Sequence, residues 1–182
     1  MGAQTGKLPQ ENLEKLAKVK LLSLDVDGVM TDGGIYYTDS GESFRKFNAK
    51  DGMGLTHLQA VGIPVAIVSQ GLPGAINHRA KRLGIKFVFT DVLNKADTMR
   101  EIIEELGIDI SEVAHIGDDI NDIPLFDVAG LTIAVADAMD EVKNAADIVT
   151  TKNGGNGAVR EIADIIRKAQ GEKTSGTVPT FN

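Results

Sequence analysis

Lys20-Leu21-Leu22-Ser23-Leu24-Asp25-Val26-Asp27-Gly28-Val29 decides how the rest of the chain is read. It is an almost continuous apolar run that stops at two carboxylates and a glycine. A strand this apolar is buried on both faces, as in a parallel sheet. Open parallel sheets bind ligands beyond the carboxyl ends of their strands, which is where Asp25 and Asp27 stand. With a side-chain period of two, both carboxylates project to the same side if strand geometry persists. Two such anions are costly to bury alone, so a hard divalent cation is expected beside them.

Working outward, the same pattern recurs. Ile63 to Ser69, Ile85 to Phe89 and Glu112 to Ile116 are further apolar runs. Between them lie helical segments from Asp51 to Val61, from Leu72 to Leu83 and from Lys95 to Leu106, each closed by a glycine (Gly62, Gly84 and Gly107). A helix through Ile123 to Val128, short strands at 131–135 and 147–150 around a helix near 139–145, and a helix from Ala158 to Ala169 complete the alternation. Strands alternating with helices imply an α/β domain with a mainly parallel central sheet flanked by helices. No repeat or linker is visible, so residues 1–182 are read as a single domain. Residues 1–18 form a polar lead-in with a short helix, Glu11 to Lys18, and residues 171–182 a polar tail. Residues 33–48, with Asp39-Ser40-Gly41 as the turn, read as a protruding β-hairpin. An isolated hairpin is marginal in water, so it is expected to lie against something, such as a neighbouring subunit.

Composition narrows the function. The formal net charge is −7 over 182 residues, which disfavours nucleic acid and anionic membrane as partners. With no cysteine, there is no disulfide framework, thiolate metal site or cysteine nucleophile. Nothing is long enough to span a bilayer, and the first 20 residues lack the apolar core of a signal peptide. A cytoplasmic location is expected.

Each of the first four buried strands ends in, or is soon followed by, a residue that handles an anion or a metal. In order they are Asp25 and Asp27, Ser69, Lys95, and then Asp118, Asp119 and Asp122. Taken singly, an Asp or Ser after a strand is usually a helix cap, and a Lys near a helix start is usually a solvated charge. Parallel strands share one carboxyl edge, however, so all seven converge. The chemistry this suggests is phosphoryl transfer through an aspartyl phosphate. Asp25 attacks phosphorus; Asp27 protonates the leaving oxygen and then activates water. Magnesium is held by Asp25, Asp118 and the Asp27 segment through a backbone carbonyl, with Asp119 and Asp122 behind these ligands. Ser69 donates to the transferring group, and Lys95 supplies fixed positive charge.

The set Asp25-Val26-Asp27-Gly28, Ser69, Lys95 and Gly117-Asp118-Asp119-Ile120-Asn121-Asp122, in that order, resembles the haloacid dehalogenase superfamily of phosphatases. The likeness extends to Asp27-Gly28-Val29-Met30-Thr31-Asp32-Gly33, the hairpin, Phe47-Asn48-Ala49-Lys50-Asp51-Gly52-Met53-Gly54 and Gly154-Gly155-Asn156-Gly157-Ala158-Val159-Arg160-Glu161. Over residues 18–170 the chain resembles the 3-deoxy-D-manno-octulosonate 8-phosphate phosphatase subfamily. The resemblance implies a single Rossmann-like domain without a cap, since no long insertion follows Asp27 or separates Ser69 from Lys95. It also implies hydrolysis of that sugar-acid phosphate in lipopolysaccharide precursor synthesis, and a homotetramer whose hairpins and C-terminal tails shape neighbouring pockets.

Lys50, Arg79 and Gly71 are carried over as substrate contacts. Lys50 stands where many relatives have arginine. Arg79 reads equally well as a solvated helix residue. Gly71 lies in the one clear departure: the subfamily's Gly-Arg after the motif-two hydroxyl is Gln70-Gly71 here, which leaves a phosphatase for a nine-carbon sugar acid 9-phosphate open. A phospho-accepting receiver module and a catalytically silent scaffold of the same fold are the alternatives from other classes. A receiver places its acidic pair early, whereas here the paired acids come late. His115 alternates with apolar residues and reads as a core histidine.

Overall fold

The computed structural model describes residues 2–5 and 8–171. In chain order the elements are β1 (Ala3–Gln4), α1 (Gln10–Lys18), β2 (Leu21–Leu24), β3 (Tyr36–Tyr37), β4 (Ser43–Phe44), α2 (Ala49–Ala60), β5 (Val65–Val68), α3 (Pro73–Leu83) and β6 (Phe87–Phe89). They continue with α4 (Lys95–Leu106), β7 (Val113–Gly117), α5 (Ile123–Phe126), β8 (Leu131–Ala134), α6 (Asp140–Ala145), β9 (Ile148–Val149) and α7 (Ala158–Ala169). The main sheet has the order β1-β9-β8-β7-β2-β5-β6, and every pairing in it is parallel.

The apolar runs are strands because both sheet faces are covered. All four residues of β2 and of β5 are buried. Alternation sends Leu22, Leu24, Val65 and Ile67 to one face, where Leu55 and Leu58 of α2 and Val159, Ile162 and Ile166 of α7 close over them. Leu21, Ala66, Val68 and Val113 go to the other face, against Met99 and Ile102 of α4 and Leu125 of α5. The boundaries of α4 follow from local chemistry. Asn94 caps its start by accepting from Asp97 N, and Gly107, at φ 62°, stops it in the left-handed conformation. Helix α7 has no cap of its own; Asp51 of α2 supplies one, accepting from Gly157 N at 3.2 Å and Arg160 N at 2.8 Å.

Two sequence expectations need correction. The polar lead-in contributes a strand: Ala3 and Gln4 pair in parallel with Ile148 and Val149 at the sheet edge. The helix expected through Val128 is only Ile123–Phe126, preceded by a 3-10 turn at Ile120–Asp122. The hairpin is present, with Tyr36 opposite Phe44 and Tyr37 opposite Ser43, but its strands are two residues each and stand apart from the main sheet. The tail after Gly171 lies outside the described residues.

Candidate active site

From β2 the chain travels outward through β5 and β6, then returns to the other side of β2 as β7. The direction of winding reverses between β2 and β7. At such a reversal the connections leave the sheet on opposite faces and open a crevice above the strand ends. Leu24 pairs with Ile116, and Asp25 N donates to the Ile116 carbonyl at 3.1 Å. Asp25 and Asp118 therefore leave neighbouring strands side by side. The crevice holds a cavity of about 370 Å³ whose lining includes Asp25, Asp27, Ser69, Gly71, Asp118 and Asp119.

Lys95, the first residue of α4, passes beneath this floor. Its Nζ lies 2.8 Å from Asp25 Oδ2 and 2.7 Å from Asp122 Oδ1, with its side chain 1% exposed. The other Asp122 oxygen accepts from Asp118 N at 3.0 Å. Behind it, His115 Nε2 is 3.6 Å from Asp122 Oδ1, and His115 Nδ1 pairs with Ser23 Oγ at 3.1 Å. Asp122 is thus the hinge of the site, orienting both Lys95 and the backbone that carries Asp118. Burial opposes its charge, but His115 and Lys95 outweigh burial and hold its carboxyl at about 2. Burial also works against the Lys95 ammonium, and Asp25 and Asp122 overcome it, so its pKa is raised. Asp25 is pushed up by burial and then by Asp122, against the pull of Lys95.

One lysine does not balance these anions. Asp118 is pushed up to about 8, by burial first and then by the charges of Asp122, Asp25 and Asp119. Its Oδ1 is buried and has no hydrogen-bond partner among the described residues. One oxygen each of Asp25, Asp118 and Asp122 lies within 4.8 Å of the others. Hard carboxylate oxygens, an orphaned buried acceptor and uncompensated negative charge fit magnesium. Asp122 does not line the cavity, whereas Asp25 and Asp118 do, which makes these two the side chains that would hold the ion.

The turn after β2 makes the close approach possible. Gly28 has φ +83°, and a Cβ there would overlap Asp118 Oδ2. Gly28→Ala is expected to displace the Asp118 carboxylate and raise the magnesium concentration needed for half-maximal activity about tenfold or more; a magnesium titration of turnover checks it.

Asp27 sits at the cavity mouth, its side chain 46% exposed. Its carboxylate is held by a residue not singled out from the sequence. Arg45, at the foot of the hairpin, donates from Nε to Asp27 Oδ1 at 2.7 Å and from its terminal nitrogen to Oδ2 at 3.0 Å. The visible signal was a cation one residue past the aromatic Phe44, on the face opposite to it. What brings that face to Asp27 is the Thr31–Phe47 bridge closing the hairpin onto the β2 turn, which no local pattern announces. The Asp27 carboxylate is committed to this pair, so only its main chain remains for a metal.

The remaining expected residues divide. Ser69, at 1% exposure, accepts from Gly71 N at 3.1 Å. Asp119 caps the 3-10 turn through Ile120 N. Gly71 lines the cavity, where a Cβ would crowd Asp27, Arg45 and Ile76. Lys50 and Arg79 are not brought to the cavity. Arg79 donates to the Asn48 carbonyl at 2.9 Å and lies over the Phe47 ring, so it is neither a free cation nor a solvated one. Lys50 lines a separate groove of about 670 Å³ with Lys152, Arg160 and Lys168. That groove is larger, but its carboxylates are engaged, Asp164 by Arg160 and Glu161 by Thr151.

The haloacid dehalogenase-like hydrolase family matches residues 55–162. The 3-deoxy-D-manno-octulosonate 8-phosphate phosphatase of Haemophilus influenzae is 39% identical over 161 residues, covering 88% of this chain and 89% of that one. The chain belongs to this phosphatase family within the haloacid dehalogenase-like hydrolases. Among solved family structures, the Yersinia pestis phosphatase superposes with a TM-score of 0.88 at 38% identity, over 90% of this chain and 88% of that one. The Moraxella catarrhalis phosphatase, solved with magnesium, phosphate and KDO, gives 0.86 at 37% identity, over 88% and 92%. The sheet order and the crevice between β2 and β7 are thus the scaffold of a phosphoric monoester hydrolase. Among the described residues only the β3–β4 hairpin stands between β2 and α2, and α3 alone connects β5 to β6, so no cap domain is inserted at either place.

Proposed function

We propose that the protein hydrolyses 3-deoxy-D-manno-octulosonate 8-phosphate to the free sugar acid and phosphate, using magnesium. The observation that carries this reading is the buried Asp25–Lys95–Asp122 chain beneath the cavity, with Asp118 beside it, in a member of this family. An Asp25 oxygen attacks phosphorus as the bond to the sugar oxygen breaks, and the leaving oxygen takes a proton from Asp27. Asp27 then takes a proton from water, whose oxygen displaces Asp25 and frees phosphate. Lys95 holds Asp25 in place and favours its ionised form against burial and Asp122, and Ser69 closes the cavity wall across β2 from Asp118. Magnesium bound by Asp25 and Asp118 supplies charge neutralisation at the phosphate oxygens.

Phosphate release across a panel of sugar-acid and neutral sugar phosphates tests the reading. The eight-carbon substrate is expected to turn over best, with at least a 10³-fold loss on chelation, restored by magnesium. Equal turnover with and without magnesium, or none on any sugar-acid phosphate, sinks it. A nine-carbon sugar acid 9-phosphate is the second reading. It is favoured by Gln70-Gly71 at the cavity lining, in place of the subfamily's Gly-Arg, with Gln70 Oε1 accepting from Asn121 Nδ2 at 3.0 Å; relative turnover of the two decides.

The catalytic cavity is open, and Ile35, Tyr37, Phe44 and Leu72 are 52–75% exposed beside it. A homotetramer in which neighbouring hairpins cover these residues completes the proposal. Among the described residues no helix is long and apolar enough to cross a membrane, and the charge of −7 suits a cytoplasmic enzyme.

A further inference from the structure

We propose that His115 is a positioning residue of the reaction: its Nε2–H steadies the Asp122 carboxylate, and through it Lys95, Asp25 and the amide that carries Asp118. The inference rests on the covalent phosphatase chemistry proposed for the site and not on which sugar acid is cleaved. From its apolar neighbours alone, His115 reads as a core histidine. Its surroundings fit that reading in part. The residue is fully buried, on the same sheet face as Leu21 and Val113 and under α4 and α5. Its ring stands edge-on to Phe126, with 6.2 Å between centroids. A side chain that only filled this space would do better without nitrogens, because a buried imidazole lacking polar partners is costly.

The ring has a polar group on each side, and together they decide which nitrogen carries hydrogen. On the β2 side, Ser23 Oγ lies 3.1 Å from Nδ1, and Ser23 is itself fully buried. A hydroxyl at that depth needs an acceptor for its hydrogen. Nδ1 accepts it, and the ring hydrogen falls to Nε2. Nε2 has no hydrogen-bond partner among the described residues and faces Asp122 Oδ1 at 3.6 Å. That is longer than a hydrogen bond. It is still a close approach of an N–H dipole to a carboxylate, between two side chains shut off from water. The opposite tautomer would set a bare nitrogen against the anion.

Asp122 therefore answers to three donors. Lys95 Nζ, at the start of α4, lies 2.7 Å from Oδ1, and Asp118 N, directly after β7, lies 3.0 Å from Oδ2. These are the parts that Asp122 positions. His115 is the third, and it stands on β7, held in the middle of the sheet between β2 and β8. It is a fixed reference for the plane of the carboxylate. Without it, rotation of that plane takes Oδ1 from Lys95 and Oδ2 from Asp118 N together. Lys95 also holds Asp25 at 2.8 Å, so the same rotation reaches the nucleophile.

His115→Phe and His115→Gln separate positioning from packing. Phe fills the site and has no donor. Gln fills it less well, but its amide nitrogen reaches about as far as Nε2 and still donates to Asp122. Turnover is read on 3-deoxy-D-manno-octulosonate 8-phosphate and on 4-nitrophenyl phosphate. In His115→Phe, kcat should fall about 10- to 100-fold with KM for the ester little changed. The rise in Tm that magnesium gives should shrink in the same variant. His115→Gln should retain most of the kcat although its Tm is the lower of the two. In the wild-type protein, 15N NMR should find hydrogen on His115 Nε2 and none on Nδ1. A packing histidine predicts instead that kcat follows Tm. That order, wild-type kcat in His115→Phe, or an Nε2 without hydrogen overturns the positioning role. If the wild-type protein hydrolyses 4-nitrophenyl phosphate and not the sugar acid, the substrate reading falls, and His115 is decided on the artificial ester. If neither variant folds, the NMR spectrum of the wild-type protein decides it.

Discussion

Replacing Asp25 with Asn is expected to lower phosphate release by about 10⁴-fold or more while leaving the protein folded. An amide oxygen is too weak a nucleophile to form the acyl phosphate, and among the other carboxylates Asp118 is the one that would hold the magnesium. Asp27 is held by Arg45, Asp122 by Lys95 and the Asp118 amide, and Asp119 by Ile120 N. The structural balance is close to neutral. The Asn side chain keeps an oxygen for Val26 N, which now bonds Asp25 Oδ1 at 2.6 Å. It removes repulsion from Asp122, but sets an amide beside the Lys95 ammonium. A stability change of about 1 kcal/mol either way, or about 2–4 °C in Tm, follows. The stabilisation that magnesium gives by binding the native state should shrink as well, since one of its two side-chain ligands becomes neutral. Assays of turnover and of Tm with and without magnesium separate these effects. Retained turnover in Asp25→Asn would remove the covalent mechanism.

What was legible in the sequence and what was not follows from which interactions are local. The buried strands could be read because parallel strands covered on both faces must be apolar throughout, as β2 and β5 are. Helix α4 could be placed to the residue because its amphipathic face and the Gly107 stop directly after it are local signals. Strand β1 could not be, since two residues in a polar segment are a strand only through their pairing with β9. The convergence of Asp25, Ser69, Lys95 and Asp118 follows from one shared strand edge, whereas the adjacency of β2 and β7 depends on winding order, which no local pattern records. Arg45 escaped notice for the same reason: it belongs to the site through the closure of the hairpin and not through any strand end. Lys50 and Arg79 show the converse. The Arg79 guanidinium donates to the Asn48 carbonyl, and Lys50 lines the separate groove.

Lys95→Met is expected to damage stability and catalysis together, and a second substitution should separate the two. The ammonium is buried between Asp25 and Asp122, at 2.8 and 2.7 Å. Its removal leaves two buried anions facing one another, a loss of about 3–5 kcal/mol for a broken buried pair. For a domain of this size that lowers Tm by about 10 °C. Turnover should fall at least about 100-fold, because a fixed positive group under the reacting phosphoryl is lost. Adding Asp122→Asn removes the uncompensated charge while keeping a side-chain oxygen for Asp118 N. The double variant should regain at least half of the lost Tm and little of the lost activity. If activity returns with stability, Lys95 serves only to offset Asp122, and the positive charge is not used in the reaction. If Tm is unmoved in the single variant, the buried chain from Asp25 through Lys95 to Asp122 does not hold the site together, and the placement of Asp25 must come from the Ile116 carbonyl and the β2 strand alone.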